Sequence, residues 1–382
     1  MSLKENAKKL FGTDKPFAIT MWEFSWIERR WPGAGYEDWD KALNELVLRG
    51  YNAVRIDAFP HFVSKDIDKV WTIYPVWNTQ MWGSPSINRI CLKDDFRIFL
   101  SLCRKHGIKV ALSSWFRQDE DHSEMDIKSP EDLADIWIKT IKYIEQWGEL
   151  DNILYVDLCN EFPQIAWAPF LRSESTYPID GEITIDWMKR ASIKFKSKYP
   201  NIPLTFSFTS RHFNTNMDVT YLDFLELHIW MANSSDYYKK VGYNYERFDD
   251  TGYKNIALYG KNEFLNNKEY YENALISNIN EVADWAKKID KPIVTTECWS
   301  LVDYKDGPLF DWDWILDLNQ SGVESAVKTG CWAGMATSNF CGPQFTGMWR
   351  EISWHQNLTK IIKSADIINN NSGGKTSDIG NG

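Results

Sequence analysis

Short apolar runs rich in β-branched and aromatic residues recur along the whole chain, and between most of them the apolar positions fall at helical spacing. The runs predict strands at Phe17–Trp22, Asn52–Ala58, Ile108–Trp115, Ile153–Cys159, Pro203–Phe208, Phe224–Trp230, Pro292–Cys298 and Gly330–Ala336. Trp39, Ala42, Leu43, Leu46 and Val47 follow the i, i+3, i+4, i+7, i+8 spacing of a one-faced helix. Leu133, Ile136, Trp137, Ile141 and Ile144 do the same, as do Val282, Trp285, Ala286 and Ile289. Gly50, Gly107 and Gly148 stand close before predicted strands and Gly330 opens one, where a helix end favours positive φ. Strands alternating with helices, and no second composition block, predict one α/β domain, a (β/α)8 TIM barrel over residues 1–368. Residues 369–382, rich in Asn, Gly and Ser, read as a mobile tail. The rival architecture, an open doubly wound sheet, calls for a Gly-rich turn after the first strand, and the segment after Trp22 has none. Two connections are long: His61–Asp95, holding Trp71, Trp77 and Trp82, and Met231–Lys268, rich in Tyr, Asn and Asp. The link from strand five to strand six has room only for a helical turn near Asp218.

Composition narrows the partners. The 382 residues are 43% hydrophobic and 25% charged, as in an ordinary globular protein with a large core. No apolar run reaches the roughly 18 residues of a membrane span, so no membrane partner is expected. Lys+Arg 43 against Asp+Glu 53 leaves a net charge of −10 with no basic stripe, which argues against nucleic acid. The six cysteines form no CxxC pair, and four lie in or beside strand-like runs. They read as buried reduced thiols, and Met1–Gly12 has no apolar signal core, so a cytoplasmic location is expected. The six histidines show no ligand spacing, and no P-loop, GxGxxG or GxSxG occurs; neither metal nor cofactor is expected.

The strand exits carry the chemistry, because a barrel presents its reactive groups at the strands' C-terminal ends. Strand four ends in Asn160-Glu161, and strand seven ends in Glu297. A carboxylate at the exit of an apolar strand is costly unless it has a partner or a task. One such group alone reads equally well as a salt-bridged strand end. Two, from strands that face each other across the mouth, are what glycoside hydrolysis needs: one carboxyl to protonate the leaving oxygen, one to attack or direct water.

With these residues in order, the chain resembles a clan A glycoside hydrolase, similar to family 5 and its cellulase-like relatives, from Phe17 to about Lys363. The resemblance implies that Asn160 binds substrate, that Glu161 is the acid/base and that Glu297 is the nucleophile. It also matches Arg55 in the VRID of strand two, His228 in the His-Ile-Trp230 of strand six, and Trp332 on strand eight. Two departures are visible. The usual strand-six Tyr is Trp230, which cannot accept a hydrogen bond. The family's strand-three His is absent, and Ser113, Ser114 and Trp115 stand at that exit. The reaction implied is double displacement with retention on an oligosaccharide or glycoside, with Glu161 titrating high and Arg55 favouring the anionic Glu297. A blander expectation pairs Arg55 with Asp57 or Glu23.

Twenty tryptophans exceed what core packing needs. Trp22, Trp26, Trp115, Trp230, Trp299 and Trp332 are expected near strand exits, where indole faces suit the apolar faces of sugar rings. Trp22, Trp115, Trp230 and Trp332 join His228, Arg55 and Asn160 as expected substrate contacts. Trp39, Trp137 and Trp285 lie on apolar helix faces and read as core. A catalytically silent carbohydrate-binding protein on the same barrel is the alternative function, favoured by the two departures and opposed by the two glutamates. A lyase or aldolase would want a Schiff-base Lys or metal ligands at strand ends, and neither is visible.

Overall fold

The computed structural model describes residues 1–21, 25–75, 86–171, 178–209, 214–244, 250–304, 306–307 and 309–369. All eight expected strands are present: Phe17–Met21, Ala53–Asp57, Lys109–Ser113, Ile153–Asp157, Leu204–Thr205 with Ser207–Thr209, Leu225–Trp230, Ile293–Thr295 with Cys298–Trp299, and Trp332–Ala336. They are called strands one to eight below. Every barrel pairing is parallel, and the ring closes: strand eight pairs strand one, and the split strand five pairs strand four with its first half and strand six with its second. The chain is a (β/α)8 barrel.

The helices lie where the apolar spacing put them, at Trp39–Leu48, Pro130–Gln146 and Lys268–Ile289. Gly330 shows why a glycine ends a helix before a strand. Its φ is 69°, and a Cβ there would meet Ile368 Cγ2 at 2.4 Å. Between strands five and six the described residues hold turns and no helix, in keeping with the short link. The long connection after strand two folds into a helix, Pro60–Lys65, and an antiparallel ribbon of Val70–Ile73 with Asn88–Cys91; Trp77 and Trp82 lie outside the described residues. The connection after strand six holds helices Tyr237–Val241 and Asp250–Asn266.

No element was expected at the N-terminus. Residues Leu3–Phe11 form a helix whose N-cap Ser2 and Glu5 make a reciprocal capping box. Leu10 and Phe11 pack on the cluster that fills the barrel floor, Ile19, Ala53, Ala111, Leu154, Tyr155, Phe224 and Val294. The helix therefore plugs the end of the barrel opposite the strand exits, with Phe11 edge-on to Phe224 at 5.3 Å. All six cysteines are free, and five are buried.

Candidate active site

Strand four leaves the barrel through Leu158 and Cys159 and turns sharply at Glu161, whose φ of 43° lies in the left-handed region. Such a conformation costs about 1–3 kcal/mol in a residue with a side chain and persists only where neighbours hold it. Here the Glu161 N–H donates to Ser207 Oγ on strand five at 2.9 Å. Glu297 occupies the gap between the two segments of strand seven. Both glutamates are nearly enclosed, each 8% exposed.

The two carboxyls meet around one histidine. His228 Nδ1 lies 2.9 Å from Glu161 Oε1 and 3.5 Å from Glu297 Oε1. One ligand atom from each of these three residues lies within 4.8 Å of the other two, a grouping with the spacing of a cation site. Glu161 Oε2 accepts from Gln164 Nε2 at 2.9 Å and from Trp167 Nε1 at 3.2 Å. Arg55 comes up from strand two and is fully buried. Its Nη1 reaches Glu297 Oε1 at 3.3 Å, while Nη2 donates to Asp157 Oδ2 at 2.8 Å and Asn160 Oδ1 at 2.9 Å. The guanidinium is covered by Trp115, whose ring centre lies 4.7 Å from Cζ. An arginine reaching a catalytic-type carboxylate from an apolar wall favours its anion, and Asp157 holds the fork in that direction.

Arg55, Asn160, Glu161, His228 and Glu297 thus converge, and Trp115 closes over Arg55. The blander pairing with Asp57 is corrected: Asp57 accepts instead from the backbone N–H groups of Phe59, at 2.8 Å, and Trp115, at 3.4 Å. Burial pushes its carboxyl up to about 7, against those two hydrogen bonds and the nearby Arg117. Glu23 and Trp22 lie outside the described residues. Trp332 is a second correction. It opens strand eight rather than leaving it, its N–H donates to Thr295 Oγ1 at 2.9 Å, and its ring packs 6.3 Å from that of Trp299. The exit of strand eight carries Thr337, Ser338 and Asn339, so the family's tryptophan has no counterpart there. Trp26 and Trp299 are wholly buried; Trp26 packs on Tyr36 and Phe99.

Trp230 stands edge-on to His228, ring centres 5.7 Å apart, and its Nε1 meets no hydrogen-bond partner among the described residues. The indole N–H therefore does not hold Glu297; that contact falls to Arg55. The Trp230→Phe variant is expected to change KM by several-fold while leaving both limbs of the pH–rate profile in place. A displaced acidic limb in steady-state kinetics would restore the direct contact.

Sequence reasoning missed Gln164, Trp167, Asp157, Ser207 and Glu226. The first two follow Glu161 by three and six residues on its own exit loop, a proximity that was available as a signal. Asp157 accepts from Ser113 Oγ at 2.7 Å, Ser207 N at 2.9 Å and Ser207 Oγ at 2.8 Å, besides Arg55. The acidic loop Asp119–Asp121 plays no part here: Glu120 and Asp121 pair with Lys69 at 3.1 and 2.5 Å.

The sequence profile of a family described as sugar-binding cellulase-like matches residues 19–363. A Parabacteroides distasonis protein, provisionally classed as a glycoside hydrolase, has a crystal structure that superimposes with a TM-score of 0.90 at 46% identity, covering 93% of this chain and 95% of that one. An endo-β-1,4-mannanase from Thermotoga petrophila shares the fold, with a TM-score of 0.54 at 12% identity over 93% of this chain and 78% of that one. A family 5 mannosidase from Rhizomucor miehei does so with a TM-score of 0.51 at 12% identity over 91% and 94%. No protein of curated function matches the chain.

Proposed function

We propose, for a chain that belongs to the sugar-binding cellulase-like family and is a glycosidase, that it cleaves a β-linked oligosaccharide or glycoside with retention. The observation that carries this reading is the closeness of the two carboxyls. One oxygen of Glu161 and one of Glu297 lie within 4.8 Å of each other, and His228 Nδ1 reaches both carboxyls. Retaining sites hold their carboxyl groups about 5–5.5 Å apart, whereas inverting sites need about 6.5–9.5 Å to admit a water between acid and base.

Glu297 attacks the anomeric carbon, its anion favoured by Arg55. Glu161 protonates the departing oxygen. Because Glu161 Oε2 already accepts two hydrogen bonds, the proton it passes sits on Oε1, the oxygen beside His228. In the second step Glu161 takes a proton from water, which releases the sugar from Glu297. Asn160 Oδ1 is occupied by Arg55, so the group left to grip a sugar hydroxyl is its amide N–H.

The test is a panel of 2-deoxy-2-fluoro glycosides with activated leaving groups, in gluco, manno and galacto configurations, followed by peptide mass spectrometry. At least one sugar is expected to remain covalently on the peptide bearing Glu297. Turnover without any adduct would indicate inversion. Saccharide binding with neither turnover nor adduct would favour the silent carbohydrate-binding alternative.

A further inference from the structure

Beneath the site, on strand six, lies a fully buried carboxylate with no place in the mechanism above, Glu226. Its Oε1 is a meeting point. Thr296 Oγ1 donates to it at 2.6 Å and Tyr155 OH at 3.2 Å, and Arg55 Nε stands 3.3 Å away. His228 Nε2 lies 4.0 Å from the same oxygen. Each of these neighbours except Tyr155 is one step from a reacting carboxyl. Arg55 reaches Glu297 through Nη1, His228 faces Glu161 and Glu297 through Nδ1, and Thr296 precedes Glu297 in the chain. A buried carboxylate is costly to keep, and an inert floor would be built more cheaply from apolar residues of the same volume.

We propose that Glu226 is a positioning residue for the glycosidase reaction: from below, it fixes Arg55 and His228 against the two reacting carboxyls and places a negative charge beneath them. This rests on the retaining assignment of Glu161 and Glu297. The charged and titratable groups facing Glu226 are Arg55 from strand two, Tyr155 and Asp157 from strand four, and His228 from its own strand. Burial pushes its carboxyl up; Arg55 opposes this, and Asp157 adds to it. A carboxyl raised in this way ionises closer to neutrality, so the alkaline limb of activity is the one that feels its charge.

The experiment compares wild type with Glu226→Gln, which keeps the shape and removes the charge. Active sites are first counted by stoichiometric labelling with a 2-fluoro glycoside, and kcat/KM is then measured against pH per labelled site. With the charge gone, the alkaline limb is expected to move to lower pH by about half a unit or more. kcat per site is expected to fall more than KM changes. A floor residue of purely structural importance would lower the labelled fraction and the melting temperature but leave the limb of the surviving sites in place, and that result overturns the proposal. If Glu226→Gln does not fold, Tyr155→Phe removes one donor from Oε1 and weakens the anion, and a smaller shift in the same direction is expected. An unmoved limb in that variant overturns the proposal equally. If wild type itself takes no label, the retaining reading falls and this proposal with it. If wild type labels at Glu297 and the limbs stay fixed, only the role of Glu226 falls.

Discussion

Glu161→Ala is expected to lower kcat/KM for an alkyl glycoside or an unactivated oligosaccharide by about 10²–10⁴-fold, the usual contribution of a positioned general acid. A dinitrophenyl glycoside should lose far less in the first step, because its leaving group departs without a proton. With that substrate the glycosyl-enzyme should accumulate, since no base remains to activate water. Azide needs no base and should restore turnover, giving a glycosyl azide of retained configuration detectable by NMR. The geometry sharpens the expectation. Gln164 and Trp167 hold one oxygen of Glu161 and His228 faces the other, so alanine removes the acid while Arg55 keeps its own contact to Glu297. Equal losses across leaving groups, or no azide product, would remove Glu161 from the acid/base role. In that case the carboxyl would be a structural partner of His228.

Much of this arrangement was legible in the chain. The strands announced themselves because a barrel strand is buried on both faces and reads as an apolar, β-branched run. Their C-terminal exits could then be counted, and Asn160, Glu161 and Glu297 stood there as polar residues that an apolar strand does not deliver without cause. Asp157 and Glu226 escaped because they lie inside strands, in YVDLC and FLELHIW, where an alternating inward position looks like a lapse in an apolar run. Yet the reasoning that singled out the exit carboxylates applies more strongly to them, since a charge within a barrel is more costly than one at its rim. The N-terminal helix was hidden by its many charges, although Ser2 and Glu5 have capping-box spacing and Leu3, Ala7, Leu10 and Phe11 share one face. Trp332 was misplaced for a different reason. The expected bounds, Gly330–Ala336, already set it near the strand's start, and it was the family resemblance that carried it to the site. Strand eight starts at Trp332, so this indole lies at the strand's beginning, five residues before Thr337 at its exit. Hydrogen-bond reach is invisible in sequence: nothing in the order of residues says that His228 faces two glutamates at once.

Arg55→Met is expected to destabilise the protein by about 3–5 kcal/mol at neutral pH, the cost of leaving buried carboxylates without their cation. Methionine fills much of the apolar stem's space, so the loss comes from charge and hydrogen bonding more than from a cavity. The guanidinium faces Asp157 at 2.8 Å, Glu226 at 3.3 Å and Glu297 at 3.3 Å, and the first two are wholly enclosed. Without it, these groups favour their protonated forms in the fold, while in the unfolded chain they ionise normally. A folded-state pKa above the unfolded one stabilises below the unfolded value and loses that benefit as pH rises through the folded value. The deficit of the variant should therefore be largest at neutral and alkaline pH and shrink as pH falls toward 5. Guanidinium unfolding of wild type and variant at several pH values measures it directly. Arg55→Lys separates the two parts of the role. An ammonium keeps the charge but not the planar fork that spans Asp157, Asn160 and Glu297, so it should recover part of the stability while activity stays depressed. A deficit independent of pH would mean that Asp157 and Glu226 find other partners, and Arg55 would then matter for packing against Trp115 rather than for holding the site's charges in place.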